Sequence, residues 1–166
     1  MSRSRNRSRG QALPEFAIVA PLFFLLLFGI IEAGRFIFYY EVLNNATREG
    51  ARYAIVNGAS SLYRRTGPPA PGATCTMPGC DPTGLDVVQK VRDSAVGVLG
   101  TGVTVQRCWW YDATVSPCDF ATHGMGDNAR SAFVTVAASY TYASLIPIVP
   151  LPNITVTAES TLVINN

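Results

Sequence analysis

The chain has 166 residues; 48% are hydrophobic and only 14% charged, with a mean hydropathy of +0.21. Soluble domains carry about a quarter charged residues, so the shortfall points to a membrane segment. The net charge of +2 is too small for a polyanion-binding protein, and no basic patch interleaved with aromatics suggests nucleic acid.

The basic residues cluster at the start. Arg3, Arg5, Arg7 and Arg9 fall within residues 1–10, and residues 11–166 hold nine basic against eleven acidic side chains. A basic leader therefore precedes a mildly acidic body. From Phe16 to Ile31 the chain is apolar apart from Pro21 and Gly29, sixteen residues that rise about 24 Å as a helix, a little short of a ~30 Å hydrocarbon core. The apolar pattern resumes after Glu32 and Arg35 with Phe36 to Tyr40, aromatics suited to a membrane interface. A span over about 13–40 is expected, with Glu32 and Arg35 paired on one helical face.

The positive-inside rule keeps the arginine cluster in the cytoplasm and sends Glu41 to Asn166 to the other side. A cleavable secretory signal fits less well. Ile31-Glu32-Ala33 is a poor cleavage site, and helix formers such as Ala46, Arg48, Glu49, Ala51 and Arg52 continue the helix. Asn57-Gly58 gives a stop. One helix over 11–57 is the economical reading, with Pro21 removing a backbone donor inside it and kinking it. Ala46, Gly50 and Ala54 repeat every four residues and form a flat stripe for close approach, either of the protein's own head or of a partner helix.

Residues 58–83 read as a Gly/Pro-rich loop. The four cysteines are Cys75, Cys80, Cys108 and Cys118, which allow three pairings. Disulfides in an oxidising compartment are favoured over zinc, because the spacings within the pairs are four and nine residues rather than two. A Cys75–Cys80 bridge would staple the loop.

An amphipathic helix follows, with Thr83 and Asp86 as its capping box and Leu85, Val88, Arg92, Ala95, Val96 and Leu99 on one face. After Gly102 the period becomes two. Strands are expected from Val103 to Tyr111, from Ser131 to Tyr142 and from Ile154 to Ile164. With the helix they form an α+β head over 84–166, an antiparallel sheet of about three strands whose one face the long helix covers. Of the adjacent Trp109 and Trp110, one should face the core and one solvent.

The motif at the membrane edge is Gly10, then Gln11-Ala12-Leu13-Pro14, then Glu15-Phe16. It resembles the processing site of type IV pilins, where a prepilin peptidase cuts after the glycine. The resemblance implies that residues 1–10 are a removed leader, Gln11 the new N-terminus and Glu15 the fifth mature residue. A carboxylate at bilayer depth is expensive and usually functional. Pairing with the new amine of a neighbouring subunit would offset its cost and set register.

Three further stretches, Glu15-Phe16-Ala17-Ile18-Val19-Ala20-Pro21, Gly29-Ile30-Ile31-Glu32-Ala33-Gly34-Arg35 and Leu43 to Ala54 with its A-x-R-E-G-A-R-Y element, resemble the TadE-like family. Those are minor pilin-like proteins of the tight-adherence (Flp) pilus machinery. The Tyr140-Thr-Tyr142 end and the proline-rich Ile146 to Pro152 resemble TadE-like heads less specifically. Residues 59–130 are not covered. The family reading implies a pilin-like fold and partners in other pilin-like subunits, the pilus assembly platform, a transient prepilin peptidase and the lipid bilayer. It gives Pro21, Glu32, Arg35, Ala46, Arg48, Glu49, Gly50 and Arg52 packing or assembly roles, with Glu49 and Arg52 close enough to pair.

No enzyme, cofactor or small-molecule substrate is expected. His123, the single histidine, sits in a Gly-rich loop between Asp119 and Asp127 without a second base, and a solvated loop is preferred to a metal site. The rival to the pilus reading is a single-pass, disulfide-bonded ectodomain that keeps its leader and binds an unrelated partner.

Overall fold

The computed structural model describes residues 12–58, 61, 65–69, 79–110, 128, 130–144 and 153–165. A single helix, α1 (Ala12–Val56), is 45 residues long and runs through Pro21 without a break. At 1.5 Å per residue it extends about 67 Å. After it come β1 (Arg65–Thr66), β2 (Cys80–Asp81), α2 (Leu85–Leu99), β3 (Val103–Trp110), β4 (Phe133–Tyr142) and β5 (Ile154–Val163).

The fold is α+β. β3, β4 and β5 form an antiparallel sheet in that order, in registers that set Val105 opposite Ala138 and Ala138 opposite Ala158. Alternation puts Val103, Val105 and Trp109, Val134, Val136 and Ala138, and Val156 and Ala158 on one buried face. The upper half of α1 covers that face beside α2. β1 and β2 make a two-residue parallel pairing inside the stretch expected to be irregular.

Two details of α2 differ from expectation. Its buried residues are Val87, Val88, Val91, Ala95 and Leu99, while Leu85 is 60% and Val96 53% exposed. Gly50 decides this rotation: a Cβ there would lie 2.3 Å from Cγ2 of Val91, so Val91 fills the notch that the glycine leaves. The capping box does not form, since the N-cap is Gly84 with no side-chain cap bond. Asp81 serves instead, accepting from the Asp86 N–H at 2.7 Å and the Thr83 hydroxyl at 2.8 Å.

Trp109 is the largest fully buried side chain. Its ring lies against two glycines with positive φ, Gly67 and Gly84, where an added Cβ would stand 2.6 and 2.3 Å from ring carbons. Trp110 points to the opposite face, stacks on Phe133 at 4.5 Å and donates to the Thr135 hydroxyl at 3.1 Å. Trp110 is therefore a packed edge.

Candidate assembly surface along the long helix

Three zones follow one another up α1. The lowest is bare. From Leu13 to Ile31 every residue is exposed except the half-exposed Ala20. Glu15, Phe16 and Pro21 lie here, all exposed. This helix is long and apolar enough to cross a membrane. Gly10 and Gln11 lie outside the described residues, as do Cys75 and Cys118, His123, and the Ile146 to Pro152 segment.

The second zone begins at Glu32, where the head first meets the helix. Arg35 Nη1 donates to Glu32 Oε2 at 3.1 Å, and Nη2 donates to the Tyr39 hydroxyl at 3.2 Å. The guanidinium carbon lies 5.5 Å from the ring centroids of both Tyr39 and Tyr142. Tyr142, the last residue of β4, donates to the backbone carbonyl of Glu32 at 3.4 Å and meets the Phe36 ring edge-on at 5.7 Å. Burial first, and hydrogen bonding to the Glu32 side chain second, push the Tyr142 phenol up to about 12.

The aromatic run expected at the membrane interface is therefore divided. Phe36 and Tyr39 face the head, while Ile37, Phe38 and Tyr40 are exposed. An apolar hollow of about 380 Å³ marks the junction, lined by Gly29, Ala33, Phe36, Ile37, Tyr142 and Ile154 beside Glu32.

In the third zone the helix is part of the head. Ala46 and Ala54 are fully buried, and Gly50 faces Val87, Val91 and Val136. The small-residue stripe is thus occupied by the protein's own α2 and sheet. Glu49 pairs with Lys90 of α2 at 3.4 Å rather than with Arg52, because its side of the helix faces α2.

Arg48 and Arg52 are exposed and make no ion pair among the described residues. They border a cleft of about 530 Å³ between α1 and β5, with Asn45, Glu49, Ser160 and Leu162 as its other walls. Lys90 matches the charge of Glu49, so the cleft stays positive. Two parts of this arrangement are not legible in the sequence. Tyr142 was legible as a strand end but not as the clamp on Arg35, and Lys90 carried no signal that it would take Glu49.

Neither Cys80 nor Cys108 is a free thiol. Among the described residues no group of three or more His, Cys, Asp and Glu side chains is placed to hold a metal.

The family model described as TadE-like protein matches residues 10–52. The match opens on Gly10 and closes on Arg52, so it covers most of the stretch that carries the resemblance, the bare zone, and only the α1 side of the clamp and of the positive cleft. It does not reach β4 or the proline-rich segment, where the weaker resemblance lay. Residues 10–52 are thus similar to TadE-like proteins, while α2 and the sheet lie beyond the match. No curated protein and no solved structure matches the chain.

Proposed function

We propose that the protein is a minor pilin-like component of a tight-adherence pilus assembly system, held in the cytoplasmic membrane by α1 and working by subunit recognition. The observation that carries this reading is the TadE-like match over residues 10–52, coinciding with one unbroken helix that is bare below and packed above. The bilayer takes residues 13–31, which rise about 28 Å and fit a ~30 Å core. This is shorter than the 13–40 expected from hydropathy, because the head already packs on the helix at Glu32, Phe36 and Tyr39. The basic leader stays in the cytoplasm and the head lies on the far side, where two disulfides form among Cys75, Cys80, Cys108 and Cys118.

Prepilin peptidase cuts after Gly10 in this reading. Gln11 becomes the N-terminus, and Glu15 meets the amine of a neighbouring pilin-like subunit within the membrane. The apparatus supplies the other partners, the assembly platform and further pilin-like subunits. The protein needs no cofactor and turns over no substrate. N-terminal sequencing of the mature protein from its native membranes tests the proposal. A start at Gln11 supports it. An intact Met1 overturns the processing step and favours a plain anchored ectodomain.

A further inference from the structure

The hollow at the foot of the head has walls of carbon. Gly29, Ala33 and Ile37 line it on α1, and Tyr142 and Ile154 line it on the head. Tyr142 and Ile154 are register partners, at the end of the sheet that meets the helix at Glu32. The polar groups at its edge are engaged. The Glu32 carboxylate accepts from Arg35, and the Tyr142 hydroxyl donates to the Glu32 carbonyl. A bound water needs two to four polar partners, so this lining suits hydrocarbon better than water.

We infer that this hollow takes an acyl chain of a phospholipid from the leaflet nearest the head, so that the head is seated on the bilayer by lipid as well as by α1. The inference rests on the membrane anchoring argued above. With residues 13–31 in the hydrocarbon, Gly29 lies about 3 Å below its outer edge and Ile37 about 9 Å above it. The headgroup layer is some 5–8 Å deep. The hollow therefore opens at headgroup level, and through Gly29 its lining continues the bare apolar surface that runs from Leu13 to Ile31.

That height favours lipid over a soluble partner, which would have to displace headgroups to reach the site. An acyl chain needs only to follow the helix upward. On this side the apolar surface outlasts the ~30 Å core, and a bilayer meets such an excess by thickening locally or by tilt of the helix, either of which brings acyl chains to the hollow. The chain would lie against the Tyr142 ring, whose other contacts are with Phe36, Tyr39 and Arg35. The lipid thus supports the joint that fixes the head on α1.

The test uses the full chain in vesicles of phosphatidylcholine that carries a photoactivatable diazirine on one acyl chain. After irradiation, peptide mass spectrometry locates the lipid adducts. Adducts are expected between Leu13 and Ile31, as on any spanning helix, and in addition on Tyr142 and Ile154. Ala33→Phe puts a ring into the hollow from an exposed position. It should lower the Tyr142 and Ile154 adducts about tenfold, the equivalent of keeping two methylenes out of the hollow, and leave those between Leu13 and Ile31 unchanged. Gly34→Phe adds a ring at an exposed position outside the hollow, where nothing lies within 4 Å, and should change neither set.

Labelling between Leu13 and Ile31 without adducts on Tyr142 and Ile154 overturns the lipid contact and leaves the anchoring standing. So do head adducts that are indifferent to Ala33→Phe. A diazirine-bearing side chain in place of Ile37 identifies any other occupant: coupling to residues 145–152 of the same chain or to a second copy, in place of lipid, also overturns the inference. No labelling between Leu13 and Ile31 sinks the anchoring and the lipid contact together.

Discussion

The Tyr142 ring, at the end of the central strand, lies 5.5 Å from the guanidinium of Arg35 on the long helix. This contact joins the last residue of β4 to the point where α1 leaves the head. Tyr39 holds the other side of the same guanidinium, and Glu32 neutralises it. Arg35→Ala should therefore destabilise the head by about 1–2 kcal/mol, from lost ring contacts and a partly buried ion pair. Arg35→Lys should recover roughly half, since an ammonium cannot reach Glu32 and both tyrosines in one plane. Thermal unfolding in detergent checks both; a Tm for Arg35→Ala equal to wild type would mean that the cluster is ornamental.

The same tyrosine gives the head a defined alkaline limit. Its proton is held to about 12 in the folded protein, against about 10 for an unfolded tyrosine. The stabilisation is complete below pH 10, where both states keep the proton. Above that the unfolded state releases its proton first, so stability falls as pH rises from about 10 to about 12, by something on the order of 2 kcal/mol. Denaturant melts at stepped pH should show this decline, and Tyr142→Phe should flatten it. An equal decline in both proteins would assign it to other groups.

Gly50 and Gly97 provide a matched pair. Both are helical, but an added methyl at Gly50 collides with the buried Val91, whereas at Gly97 nothing lies within 4 Å. Gly50→Ala should cost about 1–3 kcal/mol through overpacking. Gly97→Ala should add about 0.5–1 kcal/mol through helix propensity. Opposite signs in parallel melts are the expected result, and a stabilising Gly50→Ala would show that α1 and α2 can separate without cost.

Gly84 and Trp109 should be energetically coupled. Gly84 has φ 71° and stands against the indole ring. Gly84→Ala then carries both a backbone penalty and a clash, about 3 kcal/mol or more together. In a Trp109→Leu background the clash disappears and only the backbone penalty, about 1–2 kcal/mol, remains. A double-mutant cycle with no coupling would place the whole cost of Gly84→Ala in the backbone.

Much of this was legible in the sequence, for reasons that can be named. The period-two runs found all three strands of the sheet, because residues such as Val103 and Val105, Val134 and Val136, and Val156 and Ala158 recur at every second position, and the absence of breakers after Pro21 gave the long helix. The point where the head meets α1 was not legible. Hydropathy treats Phe36 and Tyr39 like lipid-facing aromatics, and only packing against Tyr140 and Tyr142 reveals that they belong to the head. The rotation of α2 was hidden for a similar reason: the pattern offers two overlapping apolar faces, and the notch at Gly50 on another helix chooses between them. Capping by Asp81 was missed because it acts from β2 across five residues rather than from the N-cap position.

Glu15 makes the functional reading most vulnerable, and so most testable. It lies exposed within the bare zone of α1, where a lone carboxylate disfavours insertion. If it pairs with the amine of an adjoining subunit, Glu15→Ala leaves that amine unmatched in the membrane. Assembly should then fall on the order of a hundredfold, the scale for removing one member of a desolvated ion pair. Insertion should be unharmed or improved, since alanine is cheaper in lipid. Recovery of the protein with the pilus apparatus, set against its total in carbonate-washed membranes, measures the two effects separately. Loss of assembly with full insertion fits the register role, whereas unchanged assembly would leave Glu15 as a tolerated charge at the membrane edge.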